Sequence, residues 1–206
     1  MARVKLVKPE VVEDAVIQDI FDWVTDMESA VPNHFYVEMN FPEHMKAKLG
    51  ATKVLWQMGE LTMPEIQHVG IAVSKANGCP YCTAAFCTIL NYGLGTDEAY
   101  VKEFVVQGIN AVADSRLRTI IDFVLKVNRE PRAVTDEDID DLREIGLTDK
   151  GIVQLVHLVS DFASYNRLNL ALQTDYDYRD MWRQLAFGWV QKPGEQPGDN
   201  SRGVRS

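Results

Sequence analysis

One helix-start pattern recurs along the chain, and it constrains the fold more than any other feature. The segments LTMPE, VTDEDI and LTDKGI each place a threonine before a run whose apolar residues repeat with helical spacing. Because a threonine hydroxyl accepts hydrogen bonds from the free N–H groups of a first helical turn, Thr62, Thr135 and Thr148 are predicted N-caps. GTDEAY predicts a fourth cap at Thr96. No segment shows the period-2 alternation of strands, so the sequence predicts an all-α fold.

Apolar spacing also predicts the extents of the early helices. The first covers 11–27 and ends before Pro32, and the second covers 41–57. A third covers about 63–76, and a fourth covers 80–91. The residues of the second helix expected to face the core are Met45, Leu49, Val54 and Leu55.

The composition of the chain changes only near its C-terminus. No Gly/Pro-rich linker precedes the segment QKPGEQPGDNSRGVRS. We therefore expect a single all-α domain over 1–190 and a flexible tail over 191–206. LTMPEIQHVGIAVS and LTDKGIVQLVHLVS share several residues at an offset of 86, which leaves an internal helical repeat open. Capped amphipathic helices also converge on such patterns by chance.

Charge and hydropathy limit the classes of partner. The net charge of −9 disfavours nucleic acids and anionic membranes, and no basic stripe offsets it. No run of 18 uncharged apolar residues occurs, so neither a membrane span nor a signal peptide is predicted. We expect a cytoplasmic protein.

All three cysteines lie in the segment NGCPYCTAAFC. Gly78 is a natural left-handed end for the preceding helix, and Pro80 suits the first position of the next one. Since proline also keeps the preceding residue out of the helical region, Cys79 is the predicted N-cap. Cys82 then occupies the third helical position, so both sulfurs lie at the positive end of the helix dipole.

Such a helix start favours redox chemistry at the cysteine pair. A thiolate attacks peroxides and disulfides, and a second sulfur converts the resulting sulfenic acid into a disulfide. Two other interpretations remain open. The pair could be half of a zinc site, but that site would need two more ligands, and the four scattered histidines do not form a paired set. Alternatively, the cysteines are ordinary buried thiols, which are common in protein cores. Cys87 lies about 140° around the helix from Cys82 and is a predicted core residue.

The stretch EIQHVGIAVSKANGCPYCTAAF resembles the signature of the alkylhydroperoxidase D and carboxymuconolactone decarboxylase superfamily, most specifically at ANGCPYC. LTDKGIVQLVHLVSDFASYNRLNLAL is similar to a late helix of its peroxidase-related branch, so the resemblance covers most of 50–172. It implies an alkylhydroperoxidase D-like helical bundle that forms a homo-oligomer, either a trimer or hexamer or a dimer. It also implies that Cys79 and Cys82 reduce a small hydroperoxide or disulfide and are recharged by a thiol reductant. We expect no cofactor and no metal.

The chain departs from this family at its proton relay. The family has a glutamate twelve residues before the first cysteine and a histidine four residues after the second, where this chain has Gln67 and Phe86. Neither side chain transfers a proton, so we expect weak activity. The candidates for a supporting role are Tyr81, Glu65, His68 and, without proton transfer, Gln67. Glu65 is also explained as the acid of a capping box, His68 as a structural histidine, and Tyr81 as a packing residue.

Three further expectations follow from the later part of the chain and from the missing relay. Asn166 and Arg167 are candidates to anchor a substrate anion. The alternative function is an oligomeric binding scaffold, or a carboxymuconolactone decarboxylase-like member, although the latter would also need the absent histidine. A partner subunit is expected to cover some of the apolar helix faces, which include Trp23, Trp56, Trp182 and Trp189.

Overall fold

The computed structural model describes residues 1–187, in which there are α-helices and no strands, as the sequence predicts. The ten α-helices of this part are α1 (Ala15–Glu28), α2 (Asn33–Glu38), α3 (Pro42–Gln57), α4 (Met63–Ala76), α5 (Pro80–Thr88), α6 (Glu98–Gln107), α7 (Ser115–Arg129), α8 (Asp136–Glu144), α9 (Asp149–Leu172) and α10 (Asp180–Phe187). The predicted tail over 191–206 and Trp189 lie outside the described residues.

Helix α4 lies in the middle of the bundle and packs against α5, α7 and α9. Residues 66–74 of this helix are all buried, which is typical of a helix with neighbours on every side. Its start is the predicted capping box, in which Thr62 accepts a hydrogen bond from the backbone of Glu65 and the Glu65 side chain accepts one in return. The N-caps predicted at Thr135 and Thr148 are also confirmed. Helices α4 and α9 each begin at a threonine cap and pack together, and the internal repeat stays a prediction.

Several predicted details are wrong. The N-cap of α6 is Asp97 rather than Thr96, because the carboxylate of Asp97 accepts the hydrogen bond from the Tyr100 backbone. In α3, Val54 is 54% exposed, whereas Trp56 faces the core. The weakly amphipathic sequence of α3 does not fix which side is buried. The short helix α2 follows Pro32, where only a break was predicted.

The corner between α4 and α5 has the predicted geometry. Gly78 has a φ of +65°, a left-handed conformation that favours glycine, and Cys79 is the extended N-cap of α5. Pro80 is the first residue of α5, which continues into a π-helical turn over Ile89–Gly93. The predicted helix over 80–91 therefore ends as a π-turn rather than as regular α-helix.

After α9 the chain returns across the cysteine corner. The segment 173–179 contacts α5 through Tyr81, and α10 packs against α5 and α6. Within this part of the chain Trp56 and Trp182 are 7% and 1% exposed, and Trp23 packs edge-on against Trp56. Trp56 and Trp182 are thus buried within the subunit itself, and a partner subunit over other apolar helix faces stays a prediction.

Candidate thiol site

The two cysteines of the Cys-x-x-Cys pair meet at the start of α5. The Sγ of Cys79 accepts a hydrogen bond from the backbone N–H of Cys82 at 3.4 Å, as an N-cap side chain does. Cys79 is 1% exposed and Cys82 is 4% exposed, and both are free thiols in this structure. The local sequence thus places both sulfurs in one buried helix start.

Helix α9 supplies a hydrogen-bond donor to the second sulfur. The Nδ2 of Asn169 donates to the Sγ of Cys82 at 3.3 Å. Burial alone would raise the pKa of Cys82, but hydrogen bonds from Cys79, Asn166 and Asn169 outweigh it and lower this pKa below the usual value of a thiol. Cys82 is therefore the sulfur that this site favours as a thiolate.

Cys79 has the opposite tendency. Its hydrogen bond to Cys82 and its burial raise the pKa of Cys79 well above the usual value, because the proton of Cys79 is held between the two sulfurs. The sequence predicts that the helix start stabilises a thiolate at either cysteine. The structure instead favours a thiolate at Cys82 and a thiol at Cys79. This division suits a pair in which one sulfur attacks and the other resolves.

Cys82 lines a cavity of about 70 Å³. The walls are predominantly apolar, and they come from α1, α2, α3, α5 and α9 and from the segment that follows α9. Phe86, which packs against Phe162 with ring centroids 4.6 Å apart, forms part of this wall. The other large rings that line the cavity are Trp23, Trp56, Phe35, Tyr81, Tyr165 and Tyr178.

Two ionisable side chains besides Cys82 and the tyrosines line the same cavity. Glu28, the last residue of α1, accepts a hydrogen bond from the hydroxyl of Tyr178 at 2.7 Å. Burial raises the pKa of Glu28 to about 8, despite this hydrogen bond. Burial lowers the pKa of His34 to about 4, although His34 shares a hydrogen bond with Asn169. At neutral pH His34 is uncharged, and Glu28 is mostly a carboxylic acid.

Tyr81 also lines the cavity, but its hydroxyl contacts neither sulfur. The hydroxyl donates to Asp177 at 2.8 Å and accepts from the backbone N–H of His34 at 2.9 Å. Tyr81 therefore ties the segment after α9 and the start of α2 to α5. Tyr81 thus has a structural role in the wall of the cavity.

The other predicted supporting residues do not line the cavity. Glu65 forms the capping box of α4 and an ion pair with Arg116 at 2.7 Å. His68 is buried between the carbonyl of Pro64 and the hydroxyl of Tyr100, at 2.7 and 3.0 Å. Both residues thus have the structural roles that were their alternative interpretations.

Gln67 and Phe86 occupy the family's relay positions in apolar surroundings. Gln67 is fully buried, and its amide has no hydrogen-bond partner within the described residues. The ring of Phe86 lies over Gly70, where a Cβ would come within 2.5 Å of it. Neither position can hold a charge without large rearrangement.

The candidates of α9 and the third cysteine are also placed. Asn166 donates to Ser74 at 2.9 Å, accepts from Asn77 at 2.9 Å and helps to lower the pKa of Cys82, so its side chain is already engaged by groups of the protein. Arg167 is exposed and does not line the cavity, so the predicted anion anchor at Arg167 is not part of this site. Cys87 is 1% exposed and lies away from the cavity, as expected.

Sequence reasoning missed the groups that come from distant elements. Glu28, His34, Asn169 and Tyr178 lie between 48 and 96 residues from Cys82 along the chain, and no local motif connects them. Glu28 ends the apolar stripe of α1, where the negative end of the helix dipole disfavours a carboxylate. This unfavourable position is the one feature of the sequence that could have indicated a functional role for Glu28. Among residues 1–187, no cluster of metal-ligating side chains and no helix able to span a bilayer is found.

Comparisons with known proteins agree with this description. No family model and no curated protein gives a significant match to the sequence. Among solved structures, the alkylhydroperoxidase AhpD core of an uncharacterized peroxidase-related protein from Ralstonia eutropha JMP134 is similar, with a TM-score of 0.77 and 25% identity. The match covers 90% of this chain and 96% of that one.

Two further structures share the fold at lower identity. An uncharacterized peroxidase-related protein from Silicibacter sp. TM1040 has a TM-score of 0.73 and 22% identity over 85% of this chain and 92% of its own. A cysteine-to-alanine variant of the debrominase Bmp8, in complex with 2,3,4-tribromopyrrole, has a TM-score of 0.72 and 17% identity over 92% and 100%. The chain therefore has the fold of the AhpD-like, peroxidase-related proteins, which confirms the resemblance indicated by its ANGCPYC motif.

Proposed function

We propose that this chain is a thiol-dependent oxidoreductase of the alkylhydroperoxidase type. The observation that carries the proposal is that Cys82 lines a cavity with mostly apolar walls and lies beside the sulfur of Cys79. A lowered pKa provides thiolate at Cys82, and the cavity provides a place for a substrate next to it.

The reaction has two steps. The Cys82 thiolate attacks one oxygen of a hydroperoxide, the O–O bond breaks, and the products are a sulfenic acid at Cys82 and an alkoxide that takes up a proton. The thiol of Cys79 then attacks the sulfenic acid, which releases water and forms a disulfide between Cys79 and Cys82. A thiol reductant restores the pair. Because this recharging needs a reducing compartment, the proposal includes a cytoplasmic location.

The cavity limits the class of substrate. A cavity of about 70 Å³ with mostly apolar walls favours small, apolar substrates. Small organic hydroperoxides fit this description better than hydrophilic or charged oxidants. The expected preference is therefore for tert-butyl hydroperoxide over hydrogen peroxide at equal concentration.

Serine variants of the three cysteines test the proposal. Cys82→Ser should abolish reduction of tert-butyl hydroperoxide in the presence of a dithiol, and Cys79→Ser should stop turnover after the sulfenic acid forms. Cys87→Ser is the matched control, since Cys87 is equally buried but does not line the cavity, and it should retain activity. Equal activity in all three variants would refute the proposal and favour the binding-scaffold alternative.

The aromatic walls of the cavity favour one second candidate, reductive dehalogenation of a small ring. In that reaction Cys82 thiolate and Cys79 thiol convert an aryl bromide into the arene and bromide and become a disulfide, so two electrons and one proton are transferred. Bromide release from 2,3,4-tribromopyrrole, measured with the same three variants, distinguishes it from peroxide reduction.

The proposal also includes a homo-oligomer. Val153 and Val156, which are 55% and 40% exposed on α9, offer apolar surface that a second subunit would cover. Sedimentation at micromolar concentration should show an assembly larger than the monomer. A monomer at that concentration would contradict this part of the proposal.

A further inference from the structure

The proposed reaction needs a group that moves protons, and neither relay position supplies one. Cys82 must lose its thiol proton before attack, and the departing alkoxide is too basic to leave without a proton. Gln67 and Phe86 cannot do either. The group must therefore be an ionisable side chain that lines the same cavity as Cys82.

We infer that Glu28 is the acid–base residue of the Cys82 site. Glu28 lines the cavity that Cys82 borders, and the two approach it from different elements, α1 and α5. The hydroxyl of Tyr178 donates to Glu28 Oε2 at 2.7 Å and fixes the carboxyl group in the cavity wall. This inference rests on the proposed thiol chemistry and deepens it.

The proton balance closes on these two residues. The pair shares one proton, which the Glu28 carboxylate takes from the Cys82 thiol, so the reactive form is a thiolate beside the carboxylic acid that prevails at neutral pH. The thiolate attacks the hydroperoxide while the acid protonates the leaving oxygen, which gives a sulfenic acid, an alcohol and the carboxylate again. The net reaction uses one thiol and one hydroperoxide, and Glu28 returns to its starting state.

The environment of Glu28 suits this task better than that of His34. A residue that both accepts and donates a proton works best when its pKa lies near the pH of the reaction. Burial raises the pKa of Glu28 to about 8 and lowers that of His34 to about 4. His34 is thus too weak a base to take a thiol proton. Its ring nitrogen is also engaged by Asn169, whose amide lies between His34 and the sulfur.

Glu28 also connects the cavity to the outside. Together with Tyr178 it lines a second, larger cavity of about 450 Å³, which is bordered by exposed residues such as Tyr92 and Arg179. The Glu28–Tyr178 pair therefore forms the wall between the two cavities. A proton exchanged at Glu28 can reach solvent through the outer one without passing the apolar inner one.

Several groups set the protonation of Glu28. Tyr178 lowers the pKa of Glu28 through its hydrogen bond, while burial and the charges of Asp177 and Cys82 raise it. The helix dipole acts in the same direction as burial, since Glu28 is the last residue of α1. The ionisable groups that line the two cavities besides Glu28 are Cys82 and Tyr81 on α5, Tyr92 in the π-turn, His34 on α2, Tyr165 on α9, and Asp177, Tyr178 and Arg179 after α9.

The test uses the dependence on the leaving group, which a merely structural role would not change. Glu28→Gln keeps the shape of the protonated carboxyl but cannot transfer a proton. Its single-turnover rate of Cys82 oxidation by tert-butyl hydroperoxide should fall by about 10²–10⁴-fold. Its rate with peracetic acid, whose acetate leaves without a proton, should stay within about tenfold of wild type. Glu38→Gln is the matched control, because Glu38 is a buried carboxyl that does not line the cavity.

An equal loss with both oxidants, or no loss with either, would overturn the role of Glu28. If the wild-type protein reacts with neither oxidant, the proposed function fails. The acid–base role of Glu28 is then tested separately by the pH profile of Cys82 alkylation with iodoacetamide. Two titrating steps that become one in Glu28→Gln would support proton sharing, and unchanged profiles would refute it. Tyr178→Phe provides a second variant, since losing its hydrogen bond should move the alkaline step to higher pH.

Discussion

Replacing Asn169 by leucine should raise the pKa of Cys82. Asn169 donates a hydrogen bond to the Sγ of Cys82 at 3.3 Å, and both side chains are buried, at 5% and 4% exposure. Leucine has nearly the same size but no donor, so the variant removes this stabilisation of the thiolate and leaves the volume filled. The thiol form gains relative to the thiolate.

The size of the effect follows from the strength of such a bond. A hydrogen bond to a charged group contributes about 1.5–3 kcal/mol, and one pKa unit corresponds to about 1.4 kcal/mol. The pKa of Cys82 should therefore rise by about 1–2 units. At a fixed pH below that pKa, the thiolate population and the alkylation rate should fall by about 10–100-fold.

The assay is the rate of carbamidomethylation at Cys82 against pH, resolved by mass spectrometry of the peptide that contains it. Thr83→Val is a matched control, because it deletes another buried hydrogen bond of α5, to the carbonyl of Cys79, without touching the sulfur of Cys82. Near-ultraviolet circular dichroism checks that both variants fold. A profile for Asn169→Leu that overlies wild type would refute the reasoning that Asn169 sustains the thiolate.

Three further predictions concern stability. Gly70→Ala places a Cβ 2.5 Å from the Phe86 ring and should lower the free energy of unfolding in urea by about 1–3 kcal/mol, whereas Gly50→Ala, which meets nothing within 4 Å, should raise it slightly. In the folded protein Glu28 keeps its proton up to about pH 8. In the unfolded chain Glu28 loses this proton near its ordinary pKa of 4.5. Between those limits stability should therefore fall with rising pH, and Glu28→Gln should remove about 1.4 kcal/mol per pH unit of that fall. Tyr81→Phe should cost about 1–3 kcal/mol, because it leaves Asp177 and the His34 N–H without their partner.

The local geometry of the thiol site could be predicted from the sequence, because each determinant lies within a few residues. Gly78 and Pro80 fix the end of one helix and the start of the next, which leaves Cys79 as the cap. Two adjacent cap residues are harder to separate, and Asp97 displaced Thr96 because its carboxylate is the stronger acceptor.

The cavity could not be predicted in this way. Its walls combine five helices and the segment after α9, so the distance from Glu28 or Asn169 to Cys82 depends on the tertiary packing. The resemblance to the family predicts proton-transfer groups at positions 67 and 86, where this chain has glutamine and phenylalanine. The ionisable residue at the cavity comes instead from the end of α1, where only the three-dimensional structure identifies it.

The most direct test of the central claim is the product of one equivalent of tert-butyl hydroperoxide with the fully reduced protein. Peptide mapping without reduction should find one disulfide, between Cys79 and Cys82, with Cys87 still a free thiol and one tert-butanol released for each disulfide formed. Recovery of unmodified Cys79 and Cys82 with the hydroperoxide unconsumed would contradict the account.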